Sequence, residues 1–300
     1  MCANCGSGRR SPRLQIMTLS PPQGPCAMDE EEVMALLSAN KRKREEANSS
    51  SSAKINDLNF EDAWSMDVRI AVPCSTTVHD HADHKTTVLQ VPIAPIICTV
   101  RPLKCGDEVA LQAFGLCGLS DESRRLFAPF NWSAPEAQLL AEFTTSVTNS
   151  QSRRDLHLIA LAGDKICCHG FLWSMCDEVP EFGIAVADAW HGRGLARQMM
   201  TLLEKACVAA GKPAIELTTM QDNEHAHSVY LKAGYEDLGI IRNPLGVDVT
   251  AAFAGTVVAT AFSDEFHMCR ILDEQARERV LEAMAQKRRR AAALFGATKT

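Results

Sequence analysis

Hydrophobic residues between positions 93 and 245 follow the two periods of regular secondary structure. Strand-like apolar runs occur at 96–100, 156–161, 166–175, 180–186, 214–218 and 235–241. Helical patterns occur at 107–116, from 120 onward, and at 135–147, 192–210 and 223–233. Strands and helices that alternate in this way predict a mixed α/β (α+β) domain of about 150 residues.

Two features make this pattern specific. The runs 156–161 and 166–175 flank Gly163-Asp164, which predicts a β-hairpin. The segment 192–210 is amphipathic, with one apolar stripe formed by Leu195, Met199, Leu202 and Ala206. We therefore expect this helix to pack its apolar stripe against the strands.

The flanking segments differ in character. Residues 1–92 contain a Pro/Gly cluster at 21–25, a short helical pattern that begins at 29 and a serine run at 49–52, so we expect a low-complexity, largely disordered region. Residues 264–294 are rich in helix formers, so 246–300 is predicted to be an extension that carries one long C-terminal helix.

Composition narrows the function classes. The chain has 46% hydrophobic and 23% charged residues, as expected for a globular protein. A net charge of −6 argues against direct nucleic-acid binding. No apolar stretch is long enough to span a membrane, and no secretion signal precedes the 12 cysteines, which indicates reduced thiols in the cytoplasm. The basic run 41–44 leaves a nuclear location open.

The segment 181–197 carries the clearest chemistry. A strand leads through Gly192 and Gly194 directly into a helix, and glycine allows a tight turn and a close approach to a ligand. Free N–H groups at a helix start favour a phosphate. The sequence has no Gly-Lys-Ser/Thr, and Arg197 stands where a dinucleotide fingerprint needs Gly or Ala, so neither of those phosphate loops is present. A turn that needs glycine for geometry alone is the structural alternative.

Two motifs resemble the GNAT superfamily of acyl-CoA N-acyltransferases. Residues 191–196 resemble its motif A, Q/R-x-x-G-x-G/A, with His191 at the position usually held by Gln or Arg. Residues 223–235 resemble its motif B, N-x-x-A-x-x-L-Y-x-x-x-G-F, with Tyr235 in place of Phe. The resemblance covers about half of the chain, from 96 to 242, and it assigns 93–245 as an N-acetyltransferase domain. It implies an α/β (α+β) fold with a mixed, mostly antiparallel twisted sheet flanked by helices.

The resemblance implies a binding site for acetyl-CoA as co-substrate, with no metal required. The pyrophosphate would lie on the backbone amides of His191, Gly192, Arg193, Gly194, Leu195 and Ala196. Backbone groups of Ile184, Ala185 and Val186 would hold the pantetheine and the thioester carbonyl, which is the logic of an oxyanion hole. Asn223 would contact coenzyme A, or serve as a helix N-cap, or both.

Two side chains are candidates for proton transfer. Tyr230 is the expected general acid for the leaving thiolate, and the alternative is a tyrosine packed on the helix face. Glu181 is the expected general base for the acceptor ammonium, and the alternative is a surface carboxylate. Asp177, Glu178 and His169 are weaker candidates for the base.

The sequence therefore predicts an N-acetyltransferase that moves an acetyl group from acetyl-CoA to an undetermined amine. One alternative is a non-catalytic acyl-CoA-binding regulatory module on the same fold, and another is a scaffold that acts through the helix at 264–294. The oligomeric state stays open, a homodimer included. Ligand-rich clusters at 2–26 and 79–84 are interpreted as loops rather than metal sites.

Overall fold

The structure is a computed structural model that describes residues 64, 66–80, 87–245, 252 and 261–296. These residues form one sheet of eight strands in the order β1-β2-β3-β4-β5-β6-β8-β7. The strands are β1 (Val68–Asp80), β2 (Thr87–Pro102), β3 (Leu156–Ala162), β4 (Lys165–Trp173), β5 (Glu181–Val186), β6 (Ala214–Met220), β7 (Glu236–Leu245) and β8 (Ala261–Ile271). All neighbouring strands are antiparallel except β5 and β6, which are parallel.

Helices cover both faces of this sheet. The α-helices are α1 (Glu108–Ala113), α2 (Asp121–Leu126), α3 (Glu136–Gln151), α4 (Leu195–Ala209), α5 (Glu224–Lys232) and α6 (Arg277–Phe295). A π-helical turn at Phe114–Gly118 extends α1, and short 3-10 turns lie at Asp188–Trp190 and Glu274–Ala276. No helix among the described residues is long and apolar enough to cross a membrane.

Three hydrophobic clusters hold the layers together. Adjacent strand residues alternate between the first two, because successive side chains of a strand point to opposite faces. Leu158 packs in the cluster that contains Leu202 of α4, and its neighbour Ile159 packs in the cluster that contains Phe143 of α3. The third cluster joins Val280 and Met284 of α6 to the strands β6 and β8. Helices α1 and α3 thus lie on one face of the sheet and α4 on the other.

The secondary structure expected between 93 and 245 is confirmed, with shifted boundaries. Each predicted strand and helix is present, and the hairpin of β3 and β4 turns at Gly163, which has a φ of 64°. The first predicted strand, 96–100, is the end of the much longer β2. Local signals were sufficient here because turn residues bound the short apolar strands and caps bound the helices.

The prediction of a helix over 264–294 is wrong at its beginning. Residues 264–271 belong to β8, and the helix begins only at Arg277. Met268 and Cys269 are both fully buried, since β8 lies between β6 and β7 with both faces covered. A strand buried on both faces lacks a clean alternation, so its apolar residues also matched helical spacing.

The expectation for 1–92 also needs correction. Residues 68–80 and 87–92 are strand residues of the β1–β2 pair, which extends the sheet at one edge. The helical pattern at 29–37, the basic run 41–44, the serine run and the cysteines at 2–26 lie outside the described residues. Strands β1 and β8 belong to the same sheet as the other strands, and α6 packs against that sheet. We therefore propose that one domain extends over residues 66–296 rather than 93–245.

Substitution of Met268 tests whether β8 belongs to the core. Met268→Ala is expected to lower the free energy of unfolding by about 2–5 kcal/mol, because Met268 is fully buried in the main cluster. The control Val208→Ala alters a side chain that is 59% exposed and should change stability by about 0.5 kcal/mol or less. Guanidinium unfolding followed by circular dichroism measures both, and a Met268→Ala effect no larger than the control would contradict the placement of β8.

Candidate functional site

A cleft separates β5 from β6. The two strands share a single register pair, Glu181 with Glu216, and one backbone bond at this end, from the Glu216 N–H to the Pro180 carbonyl at 3.1 Å. Beyond that pair the ladder stops. The backbone edges of β5 and β6 therefore separate toward the ends at Val186 and Met220.

Strand alternation decides which backbone groups of β5 face this cleft. The Ala187 N–H donates to the Cys167 carbonyl of β4 at 3.0 Å, and Ala185 is paired with His169 two positions earlier in the same ladder. Backbone groups of successive residues point in opposite directions. The N–H and C=O groups of Ile184 and Val186 therefore point into the cleft. The N–H and C=O groups of Ala185 point toward β4 instead. Of the three residues expected to offer backbone groups to the ligand, only Ile184 and Val186 therefore face the cleft.

The glycine turn follows β5 and opens α4. Gly192 and Gly194 have φ values of 71° and 76°, a backbone region that favours glycine, and a Cβ added at either residue would meet no atom within 4 Å. Gly194 is the N-cap of α4, and no side chain caps this helix. The N–H groups of residues 195–197 have no acceptor within the helix by position. The turn thus presents free amides and the positive end of a helix at the mouth of the cleft.

His191 has a local structural role. Its Nε2 lies 2.8 Å from the Val186 carbonyl oxygen, and a carbonyl only accepts, so Nε2 carries the proton. The Asp188 carboxylate lies 3.8 Å from the same nitrogen. His191 thereby ties the glycine turn back to the end of β5, which explains how histidine serves at the first position of motif A.

Positive charge surrounds the turn. The Arg193 guanidinium lies over the Trp190 ring at 5.2 Å, and its NH1 is 3.3 Å from the Cys74 Sγ of β1. Arg197 faces a groove of about 360 Å³ between α4 and α5. The other lining residues are Met200, Thr201, Glu204, Val229, Lys232, Ala233 and Arg270.

Motif B forms α5 and the turn before β7. The Asn223 Oδ1 accepts from the Ala226 N–H at 3.2 Å. Asn223 is therefore the N-cap of α5, which was one of the two roles expected for it. Gly234 ends the helix with a φ of 88°. These two residues fix the length of α5 and thereby the position of Tyr230 on it.

Tyr230 lies beside β5. Its ring meets the Phe182 ring edge-on with centroids 6.1 Å apart, and the Tyr235 ring is 5.8 Å away. Burial raises the pKa of Tyr230 above its ordinary value. Within the described part of the chain, the hydroxyl forms no hydrogen bond. It therefore stays protonated at neutral pH and is free to donate to a ligand.

Glu181 lies at the closed end of the cleft. Its side chain is 33% exposed, and its Oε2 is 3.8 Å from the Lys287 Nζ. Partial burial raises the pKa of Glu181, and the neighbouring carboxylates of Glu216 and Glu265 act in the same direction, whereas Lys287 opposes them. Glu181 therefore combines access to solvent with an increased proton affinity.

The weaker candidates for the base are placed differently. His169 is fully buried, with its Nε2 3.1 Å from the His157 Nδ1, and burial lowers its pKa to about 3. Glu178 is exposed and pairs with Arg279 of α6 at 2.7 Å. Asp177 is exposed, and its carbonyl accepts from Lys212. Of the four candidates, only Glu181 lies on β5.

Several residues near the site were not identified from the sequence. Arg125 of α2 contacts Asp222 at 2.9 Å beyond the end of β6, and Ser123 of α2 donates to Asp188 at 2.7 Å beyond the end of β5. Helix α2 thus spans the open end of the cleft. Glu216 and Lys287 meet at the closed end, and the only sequence signal for Lys287 was its place in a basic run.

Comparison with known proteins finds a family match for one segment of the chain. Residues 122–235 match the model of the Acetyltransferase (GNAT) family. A similar curated protein is the [Ribosomal protein bS18]-alanine N-acetyltransferase of Haemophilus ducreyi, which is 26% identical over 98 residues. That match covers 33% of this chain and 68% of the relative.

Two solved acetyltransferase structures align with part of this chain at low sequence identity. The ribosomal-protein-S5-alanine acetyltransferase of Vibrio fischeri has 15% identity and a TM-score of 0.46, covering 59% of this chain and 94% of its own. RimJ of Mycobacterium smegmatis, in complex with CoA-disulfide, has 16% identity and a TM-score of 0.45, covering 62% and 89%.

The two tyrosines of the chain provide a test of the site's burial. Burial raises the pKa of both Tyr230 and Tyr235, so neither should ionise near the ordinary value of about 10. Ultraviolet titration at 295 nm is expected to show tyrosinate near pH 10 only in guanidinium. Because the folded pKa values are raised, the free energy of unfolding should fall as the pH rises above about 10. A tyrosine that titrates normally in the folded protein would contradict this environment.

Proposed function

Because residues 122–235 form a GNAT-family acetyltransferase domain, we propose that this chain is an N-acetyltransferase that transfers an acetyl group from acetyl-CoA to an amine. One observation carries the proposal. The cleft between β5 and β6 presents the backbone groups of Ile184 and the N–H of Val186, and a glycine turn with free amides lies at its open end. This arrangement suits an elongated ligand that has a phosphate group at one end and hydrogen-bonding amides along its length.

The glycine turn is proposed to hold the pyrophosphate of coenzyme A. The amides of residues 192–197 provide hydrogen-bond donors, and the helix dipole of α4 favours negative charge. Arg197 and Lys232 form no ion pair among the described residues, and both line the groove between α4 and α5. These two cations are available for further phosphate charge on the same ligand.

The thioester is proposed to lie along β5. The amide groups of the pantetheine can pair with the backbone of Ile184 and Val186, as an added strand would. The Ile184 N–H points into the cleft and is the candidate donor to the thioester carbonyl. When the amine attacks, that oxygen becomes negative, and a fixed donor stabilises it more in the transition state than in the ground state.

Two side chains are proposed to move protons. Glu181 accepts a proton from the acceptor ammonium, directly or through a water, and the neutral amine then attacks the carbonyl carbon. The nitrogen of the tetrahedral intermediate loses its extra proton to solvent, the intermediate collapses, the C–S bond breaks, and the thiolate leaves with its charge. Tyr230 donates a hydrogen bond or its proton to that sulfur. Its raised pKa favours stabilisation through a hydrogen bond over complete proton transfer.

The acceptor is proposed to be the α-amino group of a protein or peptide. The similar curated protein is named for the acetylation of an alanine of a ribosomal protein, which supports this class. Glu181 is directly opposite Trp173 in the β4–β5 ladder, so a carboxylate and a half-buried aromatic ring adjoin at this position. An ammonium is attracted by both groups.

The remaining proposals concern alternatives and location. No observation on the described residues favours a non-catalytic acyl-CoA-binding module over the enzyme. A cytoplasmic location is supported by the free thiols of nine cysteines in the described part of the chain. A nuclear location depends on residues 41–44, which lie outside the described residues.

Calorimetric titration with acetyl-CoA tests the turn. Gly194→Ala is expected to weaken binding at least tenfold, because a Cβ strains a left-handed residue by about 1–2 kcal/mol and obstructs the backbone amides. Gly163→Ala is the matched control, with a φ of 64° and similar open space in the β3–β4 turn. Equal affinities for both variants, or no binding by the wild type, would overturn the assignment.

Substitution of Tyr230 tests its role in transfer. Tyr230→Phe keeps the ring contacts with Phe182 and removes only the hydroxyl. The affinity for acetyl-CoA is expected to persist while kcat falls by about 10–100-fold. Turnover is measured as the release of free thiol from acetyl-CoA. The acceptors are a peptide with an N-terminal alanine, spermidine and free amino acids. An unchanged kcat in Tyr230→Phe would exclude the general-acid role. A wild-type protein that releases no thiol with any of these amines would contradict the proposed acetyltransferase activity.

A further inference from the structure

The C-terminal helix α6 brings a lysine to the candidate site. Val280, Met284 and Ala291 are buried on one face of α6. Lys287 falls on that same face, since positions three and four apart share a helix surface. A lysine on the packed face of a helix requires partners of opposite charge.

Two carboxylates satisfy Lys287. Its Nζ is 2.9 Å from Glu216 Oε1 and 3.8 Å from Glu181 Oε2. These two glutamates form the single register pair between β5 and β6. The like charges of directly paired carboxylates repel each other. Lys287 therefore neutralises charge at the one point where β5 and β6 are joined.

The second oxygen of Glu216 is also occupied. His267 of β8 lies with its Nε2 2.8 Å from Glu216 Oε2. Arg288 approaches the other ring nitrogen, Nδ1, at 3.3 Å, and a guanidinium only donates. Nδ1 is therefore the acceptor and Nε2–H donates to Glu216, with the imidazole neutral. Glu216 is thus fixed as an ionised group, while Glu181 contacts only Lys287 among the charged side chains that the structure describes.

The remaining charges around this pair come from three elements. Glu265 of β8 accepts from the Asn243 Nδ2 at 2.9 Å and from the Ser263 hydroxyl. Asp177, in the loop before β5, adds a further negative charge that acts on Lys287. Arg288 is directed at His267 rather than at a carboxylate. Lys287 is accordingly the cation that directly contacts Glu181.

We propose that Lys287 is a positioning residue of the transfer reaction, which holds the Glu181 carboxylate at the closed end of the cleft and keeps it ionised. The proposal rests on the proposed role of Glu181 as general base. It makes the C-terminal helix part of the catalytic machinery, although this helix lies outside the segment that matches the family.

The direction of each pKa agrees with this geometry. Burial opposes the charge of Glu216, yet Lys287 and the hydrogen bond from His267 lower its pKa below the ordinary value. Burial and two carboxylates raise the pKa of Glu181, and Lys287 limits that rise. A pair of carboxyl groups with separated pKa values provides one fixed anion and one group that exchanges a proton more readily.

Lys287 itself is unsuited to accept the acetyl group. Burial disfavours its charge, but Glu216 and Glu181 raise its pKa above the ordinary lysine value, so the amine stays protonated. A protonated amine has no lone pair for attack on a thioester. The contact with Glu181 therefore places Lys287 as a partner of the base rather than as a substrate.

The test compares Lys287→Met and Lys287→Arg with the control Arg289→Met, which removes a surface ion pair of α6 with Glu282. In ¹³C NMR of Glu-labelled full-length protein, the Glu181 carboxyl resonance is assigned by its loss in Glu181→Gln. Lys287→Met is expected to raise the Glu181 titration midpoint by about one pH unit or more. Lys287→Arg and Arg289→Met should leave it close to the wild type.

Kinetics with acetyl-CoA and an alanine-terminated peptide provide the second measurement. In Lys287→Met the acid limb of kcat/KM should move to higher pH by the same amount, with about a tenfold loss on the acid side of the profile that is recovered in alkaline buffer. An unchanged NMR midpoint, or a loss of activity that is independent of pH, would overturn the proposal. Acetylation of Lys287 detected by mass spectrometry would also overturn it.

These outcomes separate the inference from the proposed function. A wild type that acetylates no peptide refutes the proposed acceptor, while the NMR midpoint still decides the role of Lys287. Thermal unfolding identifies a variant that fails to fold. In that case Lys287→Arg, which keeps the charge, decides the question: a wild-type Glu181 midpoint in this variant supports the proposal, and a raised midpoint contradicts it.

Discussion

The separation of β5 from β6 is the constraint on which the site depends. Backbone N–H and C=O groups need partners, and in a sheet those partners are normally on the next strand. Here the ladder stops after the pair Glu181 and Glu216, so the groups of Ile184 and Val186 face a cleft. A ligand with amide groups can replace the missing strand. The glycine turn and α4 then lie where the phosphate end of that ligand emerges.

The closed end of the cleft has its own electrostatic requirement. The register that pairs β5 with β6 also places two glutamates opposite each other, and the repulsion between their carboxylates would destabilise the pairing of the strands. Lys287 of α6 and His267 of β8 satisfy Glu216 and leave Glu181 with one weak contact. The same arrangement therefore stabilises the strand pair and distinguishes the two carboxyl groups. This links the C-terminal segment to the chemistry proposed for Glu181.

Local features were predictable from the sequence. The turn at Gly192 and Gly194 needs a left-handed backbone, which glycine provides, and Asn223 and Gly234 delimit α5 through capping. The features that were not predictable depend on distant parts of the chain. β8 is buried on both faces and lies between β6 and β7, so its apolar residues matched a helical period. Lys287 meets Glu216 from 71 residues away, and a basic run alone does not identify its partner.

Hydrogen exchange with and without acetyl-CoA tests the central claim most directly. The claim is that unpaired backbone amides of β5 and of the glycine turn are satisfied by the ligand. Acetyl-CoA is expected to slow exchange at Ile184, Val186 and residues 192–197, because ligand oxygens accept from those N–H groups. The Ala185 amide, which is already paired with β4, should change much less. Binding without protection of these amides, or protection confined to another face of the sheet, would contradict the account.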